Sequence, residues 1–399
     1  MDILNWVSTE EMDNWLLEII AIESHTDYAK KESEVAHWLS NFFEKENIPV
    51  RLEEVAPNRP NVIAALNPDD KDTKTAKLMF NGHTDTVPGY EMEYPAYEPF
   101  IKDGKVYGRG SADMKGAIVA MLAAFAAAKR SQLHLKESVI FSGVVDEEEQ
   151  SIGAEDLVHK NYQAEHIIIG EPTQLDICTA HKGLEWVEFT FFGKPAHAST
   201  PREGANAVYM ASEFCKRIEN ELLPTIESRF NDQLGSVSIS VGGIQGGNLP
   251  NIVPASCKVV IDRRWLPEEN LEDVNQEMIT IAEEIAWRYG ATVDFRVMDE
   301  LTSSMGNHPY QLSNENEFLN VLTGVTEEVT QKKVKHKGFP AWSDAGILGV
   351  QTDAKCYILG PGNIDQAHAA DEYCSLEEIY QASEIYFKLI QSLKEEDHE

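Results

Sequence analysis

His83 and Asp85 stand in Asn81-Gly82-His83-Thr84-Asp85, directly after a short apolar run. Glu147 and Glu148 stand in Asp146-Glu147-Glu148-Glu149, after the apolar Phe141-Ser142-Gly143-Val144-Val145. Glu171 follows a third such run in Gly170-Glu171-Pro172. Asp113 closes Gly108-Arg109-Gly110-Ser111-Ala112-Asp113, and His368 follows the Gly360-Pro361-Gly362 turn. Taken singly, each has a plain explanation. A lone histidine is more often a turn or core residue than a ligand, and an acidic run is usually a solvated turn. Asp113 would cap a helix, and His368 is one of twelve histidines. The set is harder to explain that way. A carboxylate near an imidazole is the usual partner that orients a ligating ring. Consecutive carboxylates at a buried strand end repel one another unless a cation neutralises them. Two imidazoles with three carboxylates, drawn from such a set, suit zinc or a similar divalent ion. Five ligands exceed one tetrahedral site, so two ions sharing one bridging carboxylate is the simplest arrangement.

Positioning these groups needs strands that end together. Residues 61–66, 77–80, 137–145 and 166–169 read as strands, and 10–20, 32–45 and 114–129 as helices. Their alternation predicts an α/β fold with a mostly parallel sheet. In such sheets ligands gather at the carboxyl ends of the strands, where His83, Glu147, Glu148 and Glu171 fall. The middle of the chain reads differently. A strand over 184–192, a helix over 205–222, strands over 237–241 and 256–261, a helix over 268–289 from Pro267, and a strand over 292–297 follow a β-α-β-β-α-β order. The glycine-rich GGIQGGN is placed between the two middle strands. The expected organisation is a catalytic domain of 1–181 and 299–399 split around an inserted ferredoxin-like α+β domain of 182–298.

The chain carries 67 Asp and Glu against 34 Lys and Arg, a formal charge of −33. So negative a surface repels phosphate backbones and anionic lipids, which argues against nucleic-acid and membrane-surface partners. Five scattered cysteines (Cys178, Cys215, Cys257, Cys356, Cys374), with no C-x-x-C, argue against a disulfide scaffold and for a reducing, cytoplasmic setting. The first twenty residues carry acidic groups where a signal peptide needs basic ones. The longest apolar run, 117–128, is too short to cross a bilayer and reads as a buried, alanine-rich helix. The tail KEEDHE reads as a solvated end.

The motifs together resemble the M20 metallopeptidase and deacylase family. Gly82-His83-Thr84-Asp85-Thr86-Val87-Pro88 is similar to its G-H-x-D-x-V-P motif. Tyr107 to Gly116, Asp146-Glu147-Glu148 with Gly153, and Gly170-Glu171-Pro172-Thr173 follow in the family's order. Gly193-Lys194-Pro195-Ala196-His197-Ala198, Gly204-x-Asn206-Ala207, Asn251-Ile252-Val253-Pro254, Asp262-x-Arg264-x-x-Pro267 and Ala367-His368 with Asp371-Glu372-Tyr373 complete the set. The resemblance spans about 10–390. It implies a dizinc catalytic domain with an inserted lid and dimerisation domain. It implies that His83 and Glu171 bind one zinc, Glu148 and His368 the other, and that Asp113 bridges them, with a cis peptide bond at Asp113–Met114. Asp85 would hold His83 in its tautomer, and Glu147 would be the general base. In relatives the histidine matching His197 reaches the partner subunit's active site, so His197 would donate to the oxyanion of a homodimer. Without that match His197 reads as an exposed loop histidine. Arg264 would grip a substrate carboxylate, or else pair with Asp262. Asn251 would contact the oxyanion or the substrate carbonyl, or else serve a turn. Ser343 departs from the family's usual Thr-Asp. The implied activity is a co-catalytic dizinc amidohydrolase acting on an N-acyl L-amino acid, as in the acetylornithine or succinyl-diaminopimelate reactions. The alternative is a zinc carboxypeptidase or dipeptidase. Zinc, with cobalt or manganese possible, is the implied cofactor, and a small N-acyl amino acid or short peptide the implied substrate.

Overall fold

The computed structural model describes residues 2–67, 74–312 and 316–394, so most of the tail, 395–399, lies outside the described residues. The chain divides into two units, Met1–Thr179 with Leu312–Glu399, and Ala180–Gln311.

In the first unit, α1 (Thr9–Ile20) starts at a capping box. Ser8 Oγ accepts from the Glu11 amide at 3.2 Å while the Glu11 carboxylate accepts from the Ser8 amide at 2.9 Å. Then come α2 (Ser33–Lys45), β1 (Val50–Ala56), β2 (Arg59–Leu66), β3 (Thr75–His83), β4 (Phe100–Lys102), β5 (Lys105–Tyr107), α3 (Gly116–Arg130), β6 (Val139–Val144), α4 (Ile152–His159), β7 (Gln163–Ile169) and β8 (Ile177–His181). The second unit carries β9 (Gly183–Phe192), α5 (Ala207–Arg217), α6 (Leu223–Ile226), the short pair β10 (Phe230–Asn231) and β11 (Gly235–Ser236), β12 (Ser238–Gly246), β13 (Ser256–Trp265), α7 (Leu271–Arg288), β14 (Thr292–Val297) and β15 (Tyr310–Gln311). The chain returns through α8 (Glu317–Thr330), β16 (His336–Phe339), α9 (Ala345–Gln351), β17 (Lys355–Ile358), β18 (Tyr373–Ser375) and α10 (Leu376–Gln391).

The main sheet of the first unit runs β1-β2-β6-β3-β7-β17-β8. Its centre is parallel: β3 pairs with β6 and β7, and β7 with β17. The flanks β1, β2 and β8 are antiparallel to their neighbours. The sheet is therefore mixed, mostly parallel at its core, as the alternation of elements predicts. Strands β2 and β6 are buried along their whole length, which explains their unbroken apolar runs. Helix α3 is buried from Gly116 to Ala128. Its alanines bring α10 close, and Phe80, Phe125, Phe141 and Tyr386 fill the space around it. The helical stretch Ser111–Arg130 has the length and composition to cross a membrane, yet its apolar window is entirely buried in this core.

The second unit is an antiparallel sheet, β12-β13-β9-β14. Val187, Phe189 and Phe191 of β9 meet Met210, Phe214, Met278 and Ile285 of α5 and α7 in one core. Its order, with two helices on one face, is the expected ferredoxin-like arrangement.

Three local expectations are corrected. The strand expected to stop at residue 241 continues to Gly246, with a bulge between Val241 and Gly243. A Cβ at Gly246 would lie 2.6 Å from Cys257 Sγ, so glycine is what lets the ladder continue there. The helix expected from 268 starts at Leu271, because the Asn270 side chain caps the amides of Glu272 and Asp273 at 2.9 and 3.3 Å. The helix over 205–222 is α5 followed by a wider turn, Ile218–Leu222. Residues 299–311, grouped by sequence with the flanking portion, cluster with the inserted unit.

Candidate metal centre

The central strands end in register. His83 of β3 pairs with Val144 of β6, and Asn81 with Ile169 of β7. The residues that follow these ends therefore emerge side by side: Thr84-Asp85, Asp146 to Glu149, and Gly170-Glu171. Asp113 arrives from the turn before α3, where the Asp113–Met114 peptide bond is cis. His368 arrives from the loop between β17 and β18.

Asp113 lies between the two imidazoles. Its Oδ1 is 2.9 Å from His83 Nε2 and its Oδ2 is 3.7 Å from His368 Nε2. Glu171 Oε1 is 3.9 Å from His83 Nε2, and Glu148 Oε2 is 3.1 Å from His368 Nε2. Two sets, His83-Glu147-Glu171 and His83-Asp113-Glu148, each have their donor atoms within 4.8 Å of one another. The structure thus brings together all five groups that the family resemblance implies as ligands, with Glu147 beside them. His83, Asp85, Asp113 and Glu171 are buried; the His368 side chain is 55% exposed.

The neighbours of His83 fix its tautomer. Its Nδ1 is 3.0 Å from the Asp85 carbonyl oxygen, which can only accept. In the neutral ring Nδ1 therefore carries the proton, and Nε2, turned to Asp113, is free to ligate. The Asp85 carboxylate sits 3.6 Å from the same nitrogen. It also accepts from the amides of Glu147 and Glu148 at 3.2 and 3.1 Å. Asp85 thus reaches both the imidazole and the turn that carries the paired glutamates, the second of which sequence reasoning missed.

The electrostatics are those of a site short of positive charge. Burial, then the Glu171 carboxylate, holds the Glu147 pKa well above its usual range. Burial, then Asp113, does the same to Glu171 and, less strongly, to Glu148. Burial opposes a charged His83, but its bonds to Asp113 and Asp85 prevail and raise its pKa well above normal. Burial likewise disfavours the Asp85 and Asp113 carboxylates, and the His83 bond prevails and lowers both. Imidazole nitrogens with carboxylate oxygens are the donor set for divalent cations, and cations would relieve this repulsion. The residues present fit such ions.

Glu372 stands in the last motif, Asp371-Glu372-Tyr373. It is fully buried. Its Oε1 accepts from the amides of Ala112 and Asp113 at 2.9 and 3.2 Å, and its Oε2 from the Gly110 amide at 3.1 Å and Arg109 Nη1 at 2.6 Å. It fixes the turn that presents Asp113. Asp344, in the segment with Ser343, accepts from Asn81 Nδ2 at 3.0 Å, and burial pushes its pKa up to about 6.

His197, Asn251 and Arg264 belong to the second unit. His197 is exposed, with Nδ1 2.7 Å from Ser199 Oγ. Its loop pairs with the 251–252 segment, the Ala198 amide donating to the Asn251 carbonyl at 3.0 Å. Arg264 donates through Nε and Nη2 to Asp262 at 2.8 and 2.9 Å, and Asp262 also accepts from Trp186 Nε1 at 2.9 Å. Arg263 points the other way, fully buried and bonded to Glu269 at 2.7 Å.

A family model described as peptidase family M20/M25/M40 matches residues 79–392. Acetylornithine deacetylase from Myxococcus xanthus is 28% identical over 343 residues, 85% of each chain. A Staphylococcus epidermidis protein named probable succinyl-diaminopimelate desuccinylase is 25% identical over 396 residues, 92% of this chain and 94% of its own. A solved tripeptidase from Staphylococcus aureus superposes with a TM-score of 0.79 at 21% identity, covering 97% of this chain and 100% of that one.

Proposed function

The chain belongs to the M20/M25/M40 peptidase family of metal-dependent hydrolases, and from that premise we propose that it is a two-metal amidohydrolase that releases a free amino acid from an N-acyl L-amino acid. The observation that carries the two-metal reading is Asp113, which turns one carboxylate oxygen toward each imidazole. In this reading His83 and Glu171 hold one ion, Glu148 and His368 the other, and Asp113 is shared. The ions, zinc in this proposal with cobalt or manganese as substitutes, would polarise the amide carbonyl and acidify the attacking water.

The chain's own groups do the rest. Glu147 takes the water's proton and passes it to the leaving amine. Its carboxyl sits beside His83 and Glu171, within reach of a water held between the ions. Asp85 keeps the His83 ring in the ligating tautomer. His197 supplies the oxyanion donor, in a homodimer, and Asn251 binds beside it. Arg264 grips the substrate carboxylate as a planar fork, which requires it to exchange Asp262 for substrate. The acyl-amino-acid substrate is supported by the names of the two relatives, both deacylases. The cytoplasmic setting is supported by the five free thiols.

The test is a panel of N-acetyl and N-succinyl amino acids alongside dipeptides and tripeptides, given to the zinc-loaded enzyme with free amine as the readout. Turnover of an acyl amino acid well above any peptide is expected. Peptide hydrolysis without deacylation would replace this reading with the peptidase one. Sedimentation on the active enzyme checks the dimer, since a fully active monomer removes any role for His197 in trans.

A further inference from the structure

Arg59 opens β2, Glu32 immediately precedes α2, and Asp146 closely follows β6. Their charged ends meet in the interior: Glu32 is fully buried, and Arg59 and Asp146 nearly so. The guanidinium is fixed on one side by Glu32, with Nε 2.9 Å from Oε2 and Nη2 2.5 Å from Oε1. On the other side Nη2 lies 2.5 Å from Asp146 Oδ1. The planar fork is taken up by Glu32, and the contact to Asp146 is a close ion pair made by Nη2 alone.

Asp146 is the first residue of the turn that carries Glu147 and Glu148. Its φ is 71°, a left-handed conformation that a non-glycine residue keeps only where its surroundings hold it. Its carbonyl accepts from the Ser151 amide at 2.5 Å, closing the turn. Within that turn the Glu147 and Glu148 amides donate to Asp85. Asp85 therefore grips the turn through its amides, and Arg59 grips it through the Asp146 side chain. Asp85, Asp146 and Glu32 all act electrostatically on Arg59. Without that cation the buried Asp146 carboxylate would face Asp85 unneutralised, and the turn would shift to relieve the repulsion.

We propose that Arg59 is a positioning residue: clamped by Glu32, it holds Asp146 and so the turn that aims Glu147 at the reacting water and Glu148 at a metal. The inference rests on the roles given above to Glu147 and Glu148.

The experiment compares wild type with Arg59→Gln, Arg59→Lys, Glu32→Gln and Glu147→Gln. It measures kcat per metal-loaded chain, KM, zinc stoichiometry, and amide hydrogen exchange in the metal-free protein. For Arg59→Gln, kcat is expected to fall about 10²-fold, the scale for displacing a catalytic group by about 1 Å, with KM within about threefold. The Glu147 and Glu148 amides should exchange about tenfold faster while β3 and β6 keep their protection. Arg59→Lys should recover part of the loss. Glu32→Gln should give the same pattern at smaller size, and it decides the matter if Arg59→Gln does not fold. Unchanged exchange at 147 and 148, or a normal kcat per loaded chain with merely less folded protein, overturns the inference. A fully active Glu147→Gln would instead remove the base assignment itself. An inactive Glu147→Gln beside a fully active Arg59→Gln would sink the positioning role alone.

Discussion

Glu147 and Glu148 are adjacent in sequence and identical in type, yet their surroundings divide their work. Glu148 faces the exposed imidazole of His368, which offsets part of the burial that disfavours its charge. Burial, then the nearby Glu171, disfavours a charged Glu147 more strongly. A base and a ligand can therefore share one turn, in keeping with the way paired carboxyl groups are pushed apart elsewhere. Glu147→Gln is expected to lower kcat by about 10³-fold, within the range for removing a general base, while two zinc ions per chain remain. Elemental analysis beside steady-state kinetics checks this, and loss of either metal would mean that Glu147 is a ligand. Arg264 offers a second residue-scale prediction. Asp262 now occupies the guanidinium, so Asp262→Asn should lower KM several-fold for substrates bearing a free carboxylate. Arg264→Gln should raise it by about tenfold or more, the loss of a charged hydrogen-bonded pair. Equal KM values across the three proteins would show that Arg264 only braces its own strand.

At the scale of elements, turns rather than strands carry the chemistry. Glu372, beside β18, gathers three amides and a guanidinium from the turn before α3. Glu372→Ala would strand the buried Arg109 charge and unfasten Asp113. A stability loss of about 3 kcal/mol is expected, read as a lower denaturation midpoint in urea. A change below about 0.5 kcal/mol would mean that water replaces the carboxylate. The inserted sheet has its own titration. Burial, then Asp299, pushes the pKa of Glu185 in β9 up to about 7 from a usual 4.5. Between those values the native state binds more protons than the unfolded chain, so its contribution is present at low pH and is lost as pH rises to about 7. A shift of that size corresponds to about 3 kcal/mol. Glu185→Gln should therefore be nearly neutral at pH 4 and stabilising by up to that amount at pH 8. A gain of the same size at both pH values would contradict the assignment.

For the whole molecule, the metal centre is also a source of stability. The first unit gathers Asp113, Glu147, Glu148 and Glu171 around two imidazoles, and the chain as a whole carries a charge of −33. Cations bound only by the folded state add free energy by mass action, about 3–4 kcal/mol at 100 to 1,000 times the dissociation constant. Chelation should abolish hydrolysis and lower the thermal midpoint by several degrees, and added zinc should restore both. A midpoint that does not move on chelation would place the acidic groups in a network that needs no ion.

The residues gathered at the strand ends were legible because each follows an apolar run or a glycine turn, and the rules of α/β sheets send such positions to one edge. His83, Asp85, Glu147, Glu148 and Glu171 stand out on that ground, with Asp113 and His368 as further candidates, while the division into ligands and base came from the family resemblance. The helical core over 117–128 was legible from composition, since alanine favours helix and a helix apolar on every side must be buried. The far end of β12 was not, because whether a glycine-rich edge strand continues depends on the backbone opposite it, whereas the Asn270 cap that starts α7 is a local signal that the sequence reading passed over. Nor were Glu372, Arg59 or Glu32, whose partners are separated from them by up to 263 residues. Sequence determines which side chains carry charge, which runs must be buried, and hence where the sheet ends. Only the tertiary structure decides which buried charge meets which donor, because that pairing forms between elements whose approach no local pattern encodes.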